Sequence, residues 1–115
     1  MDITIYHNPR CSTSRKALEA IAARGHAPRV IAYLETPPAR AELVALLAAS
    51  GLSAREAMRS KESLFAELGL DAPDVTDAAL IDAMLAHPVL INRPFVVTPK
   101  GARLCRPLER LDEIL

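Results

Sequence analysis

The sequence predicts an α/β fold: a mixed β-sheet flanked by helices, with a helical insertion near residues 39–87. Three observations predict it. An alternating run, Ile3-Thr4-Ile5-Tyr6, gives way to helical spacing soon after Asn8-Pro9. A second short apolar run, Val30-Ile31-Ala32-Tyr33-Leu34, follows that helix. Near the C-terminus two strand-like runs flank Thr98-Pro99-Lys100-Gly101, a tight-turn sequence.

Taken in order, residues 2–7 read as a strand that Asn8-Pro9 breaks. From about Ser12 to Gly25 the spacing is helical, with Ala17, Leu18 and Ile21 on one face and Gly25 suited to a C-terminal cap. Val30 to Leu34 reads as a buried strand ended by Thr36-Pro37-Pro38, and Thr36 can cap the next helix. That helix runs to about Ser50, buries Leu43, Leu46 and Leu47, and stops at Gly51. Residues 53–70 read as short helical pieces around Met58-Arg59-Ser60-Lys61. Thr76 caps a further helix that buries Ile81, Met84 and Leu85 and closes at His87-Pro88. Strands over 94–98 and 102–105 form an antiparallel hairpin around a type I turn, with Pro second and Gly fourth. Pro107 opens a last helix that turns Leu108, Leu111 and Leu115 inward. The first strand–helix–strand unit is expected to be parallel and right-handed. A hairpin and helix completing it make a thioredoxin-like layout.

A chain of 115 residues suits a single domain over residues 1–115. It is long enough to bury a core without disulfides or metal. Half of it is hydrophobic, yet it has two Phe, two Tyr and no Trp, so the expected core is aliphatic. Fourteen basic residues balance fourteen acidic ones. That balance speaks against general binding to nucleic acid or a membrane surface, and leaves room for a local arginine cluster that holds an anion. No charged start followed by an apolar run marks a signal peptide, and no apolar stretch reaches membrane-spanning length. The expected setting is the cytoplasm, where the two cysteines remain free thiols. The three histidines are too scattered to suggest zinc. His26 and His87 read as structural, and Glu35 and Glu109 as helix-start or solvated charges.

The segment that carries chemistry is His7-Asn8-Pro9-Arg10-Cys11-Ser12-Thr13-Ser14-Arg15. It puts Cys11 after a strand and just before a helix, where free backbone N–H groups stabilise a thiolate and also cradle an anion. Ser12, Thr13 and Ser14 add hydroxyls that can bond the thiolate or a bound anion. Ser14 stands where a Cys-x-x-Cys protein has its second cysteine, so a second thiol has to come from elsewhere. A free cysteine with an inert, capping role is the plainer alternative.

The chain resembles the glutaredoxin-linked arsenate reductase family. The resemblance runs nearly end to end through the Cys11 segment, Tyr33-Leu34-Glu35-Thr36-Pro37-Pro38, Met58-Arg59-Ser60-Lys61-Glu62, Glu67-Leu68-Gly69-Leu70, His87-Pro88-Val89-Leu90-Ile91-Asn92-Arg93-Pro94 and Arg103-Leu104-Cys105-Arg106-Pro107. It implies a thioredoxin-like fold, arsenate as substrate, arsenite as product, and electrons from glutathione and glutaredoxin. It also implies Cys11 as nucleophile, Arg59, Arg93 and Arg106 as substrate arginines, and His7 beside the cysteine. Ser12 replaces a glycine common in the family. No metal or tightly bound cofactor is implied, glutathione being a cosubstrate, and a monomer is expected. The superfamily also holds relatives without an assigned activity and redox-sensing transcriptional regulators. Retention of Arg106 with Arg59 and Arg93 favours the enzyme over a thiol oxidoreductase that ignores arsenate or over a sensor.

The chemistry explains the arginines. A thiolate attacking arsenate is an anion meeting an anion, and planar guanidiniums cancel the repulsion and fix orientation. Likeness to thioredoxin-like folds further implies a cis Arg93–Pro94 bond that projects Arg93 toward Cys11; a trans bond would leave Arg93 on the surface. If the last strand stays extended, Arg106 and Cys105 point to opposite sides. Arg106 in the site then makes Cys105 a core residue, the alternative being a Cys11–Cys105 disulfide. Arg59 and Lys61, taken alone, are equally a solvated basic patch. Arg10 and Arg15 either assist electrostatically or are surface charges, and His7, taken with Cys11 as a catalytic residue, either orients or polarises the site or is a satisfied structural histidine.

Overall fold

The computed structural model describes residues 1–115. The chain divides into two units, Met1–Thr36 with Arg93–Leu115, and Pro37–Asn92.

The first unit is organised by a central three-residue strand. β1 (Thr4–Tyr6) pairs in parallel with β2 (Arg29–Ile31) and antiparallel with β3 (Phe95–Thr98), which in turn pairs antiparallel with β4 (Gly101–Leu104). The sheet order is β2-β1-β3-β4, the mixed thioredoxin-like arrangement. The β1–β2 crossover is α1 (Ser12–Ala23), followed by Gly25 at φ 83°, a left-handed position that favours glycine. The core joins Ile3 and Ile5, Ala17 and Ile21 of α1, Val96 of β3, Cys105, Leu111 and Ile114. Leu18, Leu108 and Leu115 pack against it. This cluster is aliphatic apart from Cys105, but the expectation of an aliphatic core needs correction: Tyr6, Tyr33, Phe65 and Phe95 are all buried, so the few aromatic side chains are spent in the interior.

Two expectations for this unit need correction. The second strand is not a buried run over 30–34. It ends at Ile31, Arg29 is exposed, and Val30 is 47% exposed. The reason is topological: β2 is an edge strand with one neighbour, and Ala32 already opens a turn whose carbonyl accepts from the N–H groups of Glu35 and Thr36 at 3.0 and 2.8 Å. The C-terminal helix is a 3-10 segment, Leu108–Glu113, and Pro107 is its N-cap rather than its first residue. Ile114, fully buried, joins Leu111 in the core. Thr98 Oγ1 donates to the Ile114 carbonyl at 2.7 Å and ties the hairpin to this tail.

The second unit, where the helical insertion was expected, holds α2 (Arg40–Ser50), α3 (Ser63–Glu67), α4 (Asp77–Ala86) and a 3-10 turn, Pro88–Leu90. α2 buries Leu43, Leu46 and Leu47, packs on α4, and stops at Gly51 with φ 69°. Its N-cap is Ala39, without a side-chain bond, so Thr36 is not the cap. Thr76 does cap α4, accepting from the Ala79 N–H at 3.2 Å. The α4 stripe is Leu80, Ile81 and Met84. Leu85 is only half-buried, because Leu80 and Met84, four residues apart, set the inner face. Between residues 53 and 70 only Ser63–Glu67 is helical, and Met58 forms an isolated antiparallel bridge to Ile91. No helix of the protein is long and apolar enough to cross a membrane.

Candidate active site

The site grows from the loop that ends β1. Asn8 is buried, and its carbonyl, its Oδ1 and its N–H all bond within the loop. Its carbonyl accepts from the Cys11 N–H at 3.1 Å, its Oδ1 from the Arg10 N–H at 2.9 Å, and its own N–H donates to Ser14 Oγ at 3.1 Å. A short amide side chain bonding the backbone two residues on is what favours Asn in such turns. The sequence shows Asn8 as a strand breaker; its role as organiser of the cysteine turn was missed, although the Asn-Pro pair carried that signal. The turn delivers Cys11 in extended geometry (φ −95°, ψ 122°) as the N-cap of α1.

Cys11 itself is 8% exposed. Burial pushes its thiol pKa up, but the N–H of Ser14, the Arg93 guanidinium, the N–H of Thr13 and Arg106 together outweigh it and bring the pKa below the ordinary cysteine value. Arg106 Nη1 donates to Cys11 Sγ at 3.5 Å and to the Arg93 carbonyl at 3.3 Å. A helix N-terminus and two guanidiniums therefore converge on one sulfur, the pattern that makes a thiolate and receives an oxyanion. Arg93–Pro94 is cis, and so is Arg106–Pro107.

His7 is buried and its Nδ1 lies 2.7 Å from Ser14 Oγ. Burial first, and the nearby Arg15 charge second, lower its pKa, so the ring is neutral at neutral pH. The Ser14 hydroxyl is thus committed to His7 and Asn8, and what Ser14 turns to the sulfur is its N–H. Thr13 is half-buried and Ser12 exposed on the first turn of α1. Arg10 and Arg15 are exposed, Arg15 with its Nη1 donating to the Pro9 carbonyl at 2.7 Å.

Arg59 belongs to the second unit. Its N–H donates to the Leu90 carbonyl at 2.8 Å, next to the Met58–Ile91 bridge, and its guanidinium lies 3.5 Å from Glu62. Cys105 is fully buried in the core of the first unit, with its Sγ 3.7 Å from the Arg103 carbonyl. Burial, reinforced by Glu113, pushes its thiol to about 12. Both cysteines are free. No three His, Cys, Asp or Glu side chains are grouped to hold a metal ion.

Comparison with known proteins agrees with this fold. The arsenate reductase of Rhizobium meliloti strain 1021 is 57% identical over 115 residues, covering 100% of this chain and 82% of the relative. That of Escherichia coli K12 is 57% identical over 114 residues, covering 99% of this chain and 81% of the relative. Among solved structures, an arsenate reductase from Vibrio cholerae superposes with a TM-score of 0.96 at 48% identity, covering 100% of this chain and 98% of the other. The sequence model of the ArsC family matches residues 6–114, so the loop, Cys11, Arg93 and Arg106 lie within the match, and the chain belongs to the ArsC family.

Proposed function

We propose that this protein reduces arsenate to arsenite, with Cys11 as nucleophile and with glutathione and glutaredoxin as electron donors. The observation that carries the proposal is the sulfur bonded by Arg106, beside Arg93 and two helix N–H groups. Such a site favours the thiolate over the thiol and supplies fixed positive charge for a tetrahedral oxyanion brought against it.

In the proposed cycle the Cys11 thiolate attacks arsenic(V). An S–As bond forms, and an arsenate oxygen leaves as water after taking protons. A glutathione thiolate then attacks the Cys11 sulfur. The new S–S bond replaces the S–As bond, whose electron pair stays on arsenic and makes it arsenic(III). Glutaredoxin takes glutathione from the mixed disulfide and returns Cys11 as a thiol. Arg93 and Arg106 hold the oxyanion with the N–H groups of Thr13 and Ser14, Ser12 borders the pocket, and Arg59 supplies a third substrate guanidinium. His7, neutral and tied to Ser14, keeps the loop in register. Such an enzyme needs no metal or resident cofactor and works in the cytoplasm, where thiols stay reduced, as a monomer of one domain.

The experiment is a coupled assay with purified protein, arsenate, glutathione, glutaredoxin, glutathione reductase and NADPH. Arsenate-dependent NADPH loss that vanishes in Cys11→Ser is expected. Thiol exchange at Cys11 without any arsenate-dependent NADPH loss would leave a glutathione-dependent oxidoreductase instead, and full activity in Cys11→Ser would remove the mechanism.

A further inference from the structure

The distribution of charge around Cys11 is uneven in a chain that is neutral overall. Residues 3–18 and 83–108 contain no Asp or Glu, although the whole chain has fourteen acidic residues. These stretches supply Cys11, Arg93 and Arg106, and also the exposed Arg10 and Arg15. Elsewhere, Arg24, Arg40 and Arg103 each pair with a carboxylate, on Asp112, Asp82 and Glu113 respectively. Arg10 and Arg15 have no carboxylate beside them.

Arg15 is not a loose surface charge. Its backbone N–H bonds to the Cys11 carbonyl at 3.0 Å, and its guanidinium folds back to the Pro9 carbonyl at 2.7 Å. The cation is therefore held over the Pro9–Cys11 turn while remaining exposed. A guanidinium has five N–H donors in a fixed fork, and this contact uses one. A pre-positioned fork loses little side-chain freedom when it takes a ligand.

We infer that Arg15, assisted by Arg10, is the docking point for the carboxylates of the small peptide thiol that reduces Cys11. The inference rests on the reading that an external thiol attacks this sulfur. Arg106 bonds the sulfur, the Arg93 charge acts on it, and both serve the oxyanion. The reductant arrives second, as a thiolate on a molecule that also carries carboxylates. It gains from a cation at the rim, displaced from the sulfur by the turn, that binds a carboxylate through two parallel N–H bonds.

The test uses thiol exchange alone. A neutral dipyridyl disulfide is reacted with Cys11, leaving a Cys11–S–S–pyridyl adduct; Cys105, buried, does not compete. An added thiolate attacks the Cys11 sulfur, the new S–S bond forms, and the pyridyl thiolate leaves with the electron pair and is protonated to thiopyridone, whose absorbance is followed. Three thiols are compared at about pH 8, where His7 is neutral: glutathione, its diethyl ester and mercaptoethanol. In Arg15→Ala the glutathione rate should fall about threefold or more, and in Arg15→Glu about tenfold, with partial recovery in Arg15→Lys. The ester and mercaptoethanol rates should stay within about twofold of wild type in every variant. Equal slowing with all three thiols, or no slowing with glutathione, overturns the inference. Failure of the adduct to form removes the nucleophile and both proposals with it. Because no arsenate is present, a protein that shows the Arg15 effect but does not turn over arsenate loses only the substrate assignment.

Discussion

Arg106 Nη1 donates to Cys11 Sγ at 3.5 Å, joining residues 95 positions apart in the sequence. The bond brings the end of β4 onto the loop after β1, strands that do not pair with each other. The same guanidinium nitrogen bonds the Arg93 carbonyl, so one side chain links the sulfur to the other arginine.

Arg106→Ala should therefore raise the Cys11 pKa. The rate of alkylation by iodoacetamide rises with pH as the thiolate forms, and in wild type its midpoint should lie below that of a free cysteine, about 8.5. In Arg106→Ala, and in Arg93→Ala, the midpoint should move upward, and arsenate turnover should fall about tenfold or more. Stability should follow with a definite sign. A thiol whose folded-state pKa is depressed adds stability that is complete above the unfolded value and is lost as pH falls through the folded value. Urea unfolding of wild type and Cys11→Ala across pH should show the wild-type advantage growing as pH rises through that window.

What the sequence made legible was local. The strand-to-helix turn at Cys11, the caps at Gly25, Gly51 and Thr76, and the hairpin at Thr98–Gly101 each depend on residues adjacent in the chain. The exposure of Val30 was not legible, because an apolar strand reads alike at the edge and at the centre of a sheet, and only the strand order separates the two. The Ser14 hydroxyl could be placed near the cysteine but not assigned, since it can bond a sulfur, an anion or a histidine equally well; the fold gives it to His7 and Asn8. Arg59 shows a contact that the sequence does carry. Its i,i+3 spacing to Glu62 announces the ion pair that the fold forms at 3.5 Å, a local signal that reads directly from the chain.

Ser14→Ala tests the hydroxyl directly. It leaves the Asn8 N–H and His7 Nδ1, both buried, without their shared partner. The cost should be about 1–3 kcal/mol, read by urea unfolding. His7 gives the accompanying pH signature. Its folded pKa is lowered, so the stability it contributes is full above about 6.5 and is lost as pH falls through the folded value. Replacing the ring by Gln should flatten the stability profile in that range.

In the second unit, Thr76→Ala removes the acceptor of the Ala79 N–H at the start of α4. The expected loss is about 1 kcal/mol, within the usual range for an N-cap. Thr76→Ser should retain most of it, because the hydroxyl and not the methyl makes the bond. Paired urea titrations of the two variants measure the difference.

Cys105 should behave as part of the core. It is fully buried among Ile3, Ile5, Val96 and Leu111, and its thiol is pushed to about 12, so no thiolate forms near neutral pH. Native protein should therefore consume one equivalent of a thiol reagent quickly, at Cys11, and the second only after unfolding; mass spectrometry of the alkylated protein reads this directly. Cys105→Ala should keep arsenate turnover within about twofold while lowering stability by about 1 kcal/mol for the lost sulfur volume. A resolving thiol would give the opposite pattern, with stability nearly intact and turnover lost. The burial already separates these, since a Cys11–Cys105 exchange would need the core of the first unit to open before each cycle.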